Sequence, residues 1–169
     1  DLLEKSTQRR LTVGDELYEF YADQRSDLID TLIHEHKYSV DDAIHAAQRL
    51  LDRIIFIAFC EDRGLLPEKL IQQTWENVPP LAREGKRWSQ FLDMFHFIDK
   101  GHKALGLPNG YNGGLFRFDP LVDDLKLYDD EDRWTNVFKT IGDYDFRDEG
   151  EVSVDVLGHL FEKSINELE

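Results

Sequence analysis

Apolar residues in the first third of the chain return at helical intervals. From Asp15, the positions Leu17, Phe20, Tyr21, Leu28, Leu32 and Ile33 recur at spacings of three, four and seven, which is one helical face. A second helix opens on Ser39, a side-chain acceptor for its first turn, with Asp41 and Asp42 at the positive end of its dipole. Its stripe is Val40, Ala43, Ile44, Ala47, Leu50, Leu51, Ile54, Ile55, Ala58 and Phe59, apolar enough in its last half to predict the central, mostly buried helix. Gly64 is placed to end that helix in a left-handed conformation, and Pro67 prevents its resumption.

A shorter helix is expected around Glu68 to Trp75. Pro79-Pro80 then breaks the chain before an amphipathic helix with Trp88, Phe91, Leu92, Phe95 and Ile98 on one side. Gly101 to Gly114 has the Gly, Pro and Asn density of a long loop. Beyond it, Leu115–Phe118 and Leu125–Tyr128 alternate as short strands do and could pair as a small β-hairpin. Two more helices are expected, one with Trp134, Val137, Phe138 and Ile141, the other from Ser153 with Val154, Leu157, Leu160, Phe161, Ile165 and Leu168. That last stripe is still periodic at Glu169, so the polypeptide is expected to continue past it. The expected fold is mainly α: a helical bundle with a long Gly-rich loop and a small β-hairpin. It is read as one domain over 1–169, with 101–130 as a loop and hairpin insertion.

Composition narrows the function classes. The 20 Lys+Arg against 35 Asp+Glu leave a net charge of −15, which disfavours a free-standing binder of the phosphate backbone. The acidity is uneven: residues 119–169 hold 16 acidic and 5 basic side chains, a net of −11. One cysteine, Cys60, excludes an internal disulfide framework and a cysteine-rich zinc site. The longest apolar run, Ile54 to Cys60, is seven residues, far short of a membrane span. No signal-peptide pattern opens the sequence, and a cytoplasmic location is expected.

Candidate chemistry does not assemble. His34 and His36 point about 200° apart on a helix and cannot share a cation. His45, His96, His102 and His159 have no Cys or carboxylate at ligand spacing. A Mg²⁺ nuclease of restriction type needs an Asp followed, on the next strand, by Glu-x-Lys. Asp30 with Glu35-His36-Lys37 offers this on a predicted helix, and Asp119 with Asp124-Leu125-Lys126 leaves too few residues for a strand and a turn. Gly110-Tyr111-Asn112-Gly113-Gly114 resembles a phosphate loop only in glycine count and is read as a tight turn. Cys60 lacks an adjacent base and is read as a core residue. No catalytic, cofactor-binding or metal-ligating residue is assigned.

Three ordered segments carry a resemblance. Leu50 to Pro67, an apolar helix running into Glu61-Asp62-Arg63-Gly64-Leu65-Leu66-Pro67, is similar to a stretch of large single-chain restriction-modification enzymes. Tyr111-Asn112-Gly113-Gly114-Leu115-Phe116 resembles their Asn-Gly-Gly-Leu-Phe turn. Val152 to Ile165, approached through Tyr144-Asp145-Phe146, resembles the segment before their adenine-N6 methyltransferase domain. The family includes type IIG, type IIS-like enzymes, in which a Mg²⁺ nuclease, a helical connector, an S-adenosylmethionine-dependent methyltransferase and a target-recognition domain follow one another.

The resemblance implies that this chain is the non-catalytic connector of such an enzyme. Its partners would be the flanking nuclease and methyltransferase domains, with DNA engaged through the parent. The methyl-donor motif Phe-x-Gly-x-Gly and the Asn/Asp-Pro-Pro-Tyr motif are absent here. S-adenosylmethionine and Mg²⁺ are therefore expected to belong to the parent, with no cofactor in this chain. Two other readings stay open. An acidic protein-interaction module or DNA mimic would rest on the C-terminal charge, and a stand-alone nuclease on the Asp/Glu-x-Lys matches.

Overall fold

The computed structural model describes residues 2–111, 113–127 and 132–147. Its α-helices are α1 (Leu2–His34), α2 (Val40–Asp62), α3 (Leu70–Glu76), α4 (Lys86–Lys100), α5 (Pro120–Asp123) and α6 (Arg133–Gly142), with a 3₁₀ turn at Lys103–Leu105. The chain is mainly helical, as the periodicity predicts. The helix read from Ser153, and with it the third resembling segment, lies outside the described residues. The chain divides into two compact units, Asp1–Asp52 with Tyr144–Glu169, and Arg53–Asp143.

In the first unit, α1 and the opening turns of α2 form an antiparallel hairpin. Helix α1 begins at Leu2, well before Asp15, because Leu, Glu, Lys, Gln and Arg dominate that stretch and no proline interrupts it. Lys37 takes a left-handed φ of 61°, and the Tyr38 amide bonds back to Leu32 O at 3.0 Å, which closes the helix end. Ser39 Oγ then accepts from the Asp42 amide at 3.1 Å, the cap expected from the sequence. Leu17, Tyr21, Leu28 and Leu32 pack inward, as do Ala43, Ala46, Ala47, Leu50 and Leu51. Val40, the first member of the α2 stripe, is exposed instead.

Polar groups inside this hairpin satisfy one another. The Tyr21 hydroxyl and Gln48 Nε2 both donate to Asp52 Oδ1 at 2.8 Å, and Arg25 Nη1 donates to Gln48 Oε1 at 3.3 Å. Burial raises the Asp52 carboxyl above its ordinary value despite those donors. Phe146 is fully buried, and beside it the Arg147 guanidinium grips Asp145 through both oxygens, holding that carboxyl below its usual range.

The second unit is built on the last turns of α2. Ile54, Ile55, Ile57 and Ala58 are buried there, and Gly64 ends the helix at φ 76°, with the Leu65 and Leu66 amides returning to Cys60 O. Helices α3, α4 and α6 pack together, and α6 comes so close to α3 that a Cβ on Gly142 would lie 3.1 Å from Ile71. The apolar face read for α4 is buried through Trp88, Phe91, Phe95 and Ile98, with Met94 added. All four apolar residues read for α6 are buried, and Phe91 meets Phe138 edge-on at 5.3 Å.

The β-hairpin does not form: among the described residues 113–127 there is no strand. Asp119 and Pro120 supply a helix cap and a first helical position, so α5 occupies the place of a hairpin turn. The alternation at Leu115–Phe118 has another origin. Phe116 points into the core while Phe118 is exposed, and the carbonyls of Leu115 and Arg117 accept from Arg53 instead of from a partner strand.

Candidate interaction face

Arg53 is the organising residue of the second unit. An arginine within an apolar run must find partners when buried, because an isolated charge in the interior is too costly to keep. Its side chain is 0% exposed. Nε donates to Leu115 O at 2.8 Å and Nη2 to Arg117 O at 3.0 Å, while Nη1 and Nη2 hold the two oxygens of Asp123 at 2.8 and 3.2 Å. The guanidinium lies 5.2 Å from the Phe95 ring and 5.7 Å from the Phe116 ring. One side chain thus ties α2 to the 115–117 segment and to α5.

This knot fixes one wall of a trough along the outer face of α4. Two adjoining cavities of ≈ 660 and ≈ 510 Å³ share Ser89, Leu92 and Asp123. The first runs past Leu81, Trp88 and Leu125, where the Trp88 indole N–H donates to Leu125 O at 2.7 Å. The second runs past His96, Phe116 and Phe118. Leu81 is 99% and Phe118 61% exposed, so two large apolar side chains flank a concave surface. Both cavities carry charges of both signs: Arg83, Glu84, Lys86, Asp124 and Lys126 line the first, and Asp93, Asp99 and Lys100 the second.

Two of the three resembling segments meet at Arg53: it belongs to the first, and Leu115 and Phe116 to the second. Phe56 of the first also packs on Tyr111 and Phe116 of the second, at 4.8 and 5.7 Å between ring centroids. The chain is similar to a protein of Methanocaldococcus jannaschii named "Putative type II restriction enzyme and methyltransferase". The two are 29% identical over 137 residues, a match covering 69% of this chain and 12% of that protein. The chain thus spans a small part of its relative's length. No protein-family model and no solved structure matches it. The similarity relates the chain to restriction-modification enzymes at large.

Residues weighed from the sequence for chemistry are dispersed. Asp30 and Glu35 are exposed, and Lys37 Nζ donates to the His34 carbonyl at 2.8 Å instead of facing a carboxylate pair. Asp119 Oδ1 caps α5 by accepting from the Leu121 amide at 3.1 Å, and Asp124 ends that helix. Among the described residues no three His, Cys, Asp or Glu side chains gather where a cation could sit. The Asp and Glu-x-Lys donors that a Mg²⁺ nuclease would need are therefore not brought together there. Gly110 makes a turn: its left-handed backbone lets the Tyr111 amide reach Ile98 O at 2.7 Å. Asn112 lies outside the described residues. Cys60 is buried, and burial pushes its thiol up to about 11. No described helix is long and apolar enough to cross a membrane.

Arg53 and the trough were missed by the sequence reading. The available signal was a charged residue between Leu51 and Ile54 in the helix expected to be most buried. Its partner, Asp123, falls in the acidic 119–169 stretch, where charge alone does not single it out.

Glu61, from the Glu-Asp-Arg-Gly segment, is also buried, and its Oε2 accepts from the Ile71 amide at 2.9 Å, capping α3. Burial pushes its carboxyl up to about 7, and Asp62 and Asp143 add to the rise. The unfolded chain releases this proton near 4.5 while the folded chain keeps it to about 7. Folding stability therefore falls as pH rises through that window and levels off above it. Glu61→Gln retains an acceptor for Ile71 and removes the titration. Urea unfolding at pH 5 and pH 8 should show the wild type losing about 1–2 kcal/mol more than the variant across that interval. Equal losses would mean that Glu61 is ionised throughout.

Proposed function

We propose that this chain is the non-catalytic helical connector between the nuclease and the adenine-N6 methyltransferase of a single-chain restriction-modification enzyme. The observation that carries the reading is the meeting, at Arg53, of two sequence segments that separately resemble such enzymes. The similarity to the M. jannaschii protein, confined to 12% of its length, supports a part-role in a larger enzyme. A helical unit is suited to that part, because adenine methylation draws the base out of the duplex while cleavage takes place elsewhere on the same DNA. Packed helices hold two such sites at a fixed separation better than a flexible linker does. S-adenosylmethionine and Mg²⁺ would then be bound by the flanking domains.

The acidic-mimic reading rests on a run of which Asp129, Asp130 and Glu131 lie outside the described residues. Among the described ones, Asp123 and Asp132 are engaged by Arg53 and Arg87, and Asp119 caps a helix, so these three carboxylates are not an outward phosphate-like array.

The residues encoded after Glu169 test the connector reading. They should include a Gly-rich methyl-donor loop and Asn/Asp-Pro-Pro-Tyr, and the whole protein should transfer methyl from S-adenosylmethionine to adenine in DNA. The 169-residue chain alone should do neither that nor cut plasmid with Mg²⁺. A stop codon after Glu169 would overturn the reading. Plasmid cutting by the isolated chain, lost in Glu35→Ala, would replace it with a nuclease.

A further inference from the structure

Within the first unit α2 is covered on two sides, and α1 accounts for one of them. Residues two apart on a helix face nearly opposite directions, about 200° around its axis. Gln48 and Asp52 lie on the α1 side, since the Tyr21 hydroxyl donates to Asp52 and Arg25 Nη1 to Gln48. Ala46 and Leu50, two residues before each of them, therefore point away from α1. Both are nevertheless 1% exposed, and Ala43 on the same side is 0% exposed. Among the described residues, this unit holds besides α1 and α2 only 144–147, with Phe146 as the one fully buried side chain. One aromatic ring does not cover a face that runs from Ala43 to Leu50, about 10 Å or two helical turns. We propose that the amphipathic helix predicted over 153–168 packs on this side of α2, as the third helix of the unit.

Chain continuity, length and pattern choose this occupant. The unit takes in Tyr144–Glu169 together with Asp1–Asp52, and buried Phe146 is where the chain leaving α6 enters it. Residues 148–152 then span up to about 16 Å when extended, enough to bring 153 to the hairpin. A helix over 153–168 is about 24 Å long, more than the face of α2 to be covered. Val154, Leu157, Phe161, Ile165 and Leu168 recur at spacings of three, four, four and three, which is one helical face, while Asp155, Glu162 and Asn166 fall away from it. Charge does not draw the two together. Residues 15–52 carry ten acidic and three basic side chains, and 148–169 carry seven and one. Burial of the apolar stripe must therefore supply the association, and salt strengthens it by screening the repulsion. The proposal concerns this chain alone and stands whether or not the connector reading does.

Photo-crosslinking in the full 169-residue chain reads this contact directly. With benzoylphenylalanine in place of Phe161, irradiation should join the 153–168 segment to a peptide containing 43–50 of the same chain, undiminished in about 0.5 M salt. Hydrogen exchange gives an independent measure. Leu157→Ser combined with Phe161→Ser should speed exchange of the 43–50 amides about tenfold or more, while the α4 amides keep their rates. Glu162→Ser, off the stripe, should change neither. If the double variant unfolds altogether, the crosslink in the otherwise intact chain decides. Crosslinks to a second copy that grow with concentration overturn the proposal, as do crosslinks to the Arg53–Asp143 unit or none at all. Unchanged exchange at 43–50 in a folded double variant overturns it too, and so does a crosslink that disappears as salt is raised.

Discussion

Replacing Arg53 by Met is expected to cost about 3–5 kcal/mol in a urea unfolding experiment, the range for removing one partner of a buried ion pair. Three groups lose the Arg53 donor at once: the Asp123 carboxylate and the carbonyls of Leu115 and Arg117. These bonds are part-buried, so acceptors left without a donor there cost more than the net worth of the bonds that satisfied them wherever water does not replace Arg53. Asp123 keeps one donor, the Asp119 amide at 2.8 Å, so it is weakened but not stranded. Arg53→Lys should recover little, because an ammonium cannot present a planar fork to a carboxylate and reach two carbonyls as well. Adding Asp123→Asn to Arg53→Met should return about 1–3 kcal/mol by removing the unpaired charge. A loss below about 1 kcal/mol for Arg53→Met would show that water reaches this site. The same variant should loosen Phe116 and Asp123, and so deform the trough where its two cavities meet.

The helices of this chain were legible because each buries one face, and burial leaves a period in the sequence. Trp88, Phe91, Phe95 and Ile98 announce α4, and Trp134, Val137, Phe138 and Ile141 announce α6. The failures share a cause. Period-two alternation at Leu115–Phe118 imitates a strand because it reports which side chains are inside, not where the backbone carbonyls find donors. Those donors sit on Arg53, more than sixty residues earlier in the chain. The trough was hidden for the same reason. Leu92 reads as a core residue by its spacing, and only the packing of the 79–85 and 116–126 segments leaves it at the bottom of an open channel. Asp123 was read as one of many acids, although its bond to Arg53 takes it out of the surface charge.

Gly110→Ala is the second substitution expected to have a large effect, and it separates backbone strain from collision. At φ 79° an L-residue bears a left-handed penalty of about 1–2 kcal/mol. A Cβ there would also lie 2.1 Å from Asp99 O and 2.9 Å from Gly101 N, both backbone atoms that move only if the end of α4 moves. Gly106 provides the control, with φ 69° and nothing within 4 Å of its Cβ position. Gly106→Ala should therefore cost only the strain, about 1 kcal/mol, and Gly110→Ala about 3 kcal/mol or more. The excess measures how tightly the loop returns onto α4, where the Tyr111 amide bonds Ile98 O and the Tyr111 ring packs on Phe56. If the two alanine variants unfold at the same urea concentration, the loop moves away without cost and does not brace Tyr111. A large excess that also weakens the near-ultraviolet dichroism of the aromatic cluster would identify the glycine-rich segment as a brace for the core of the second unit. That outcome would explain Gly110 by close backbone approach, without recourse to a bound phosphate.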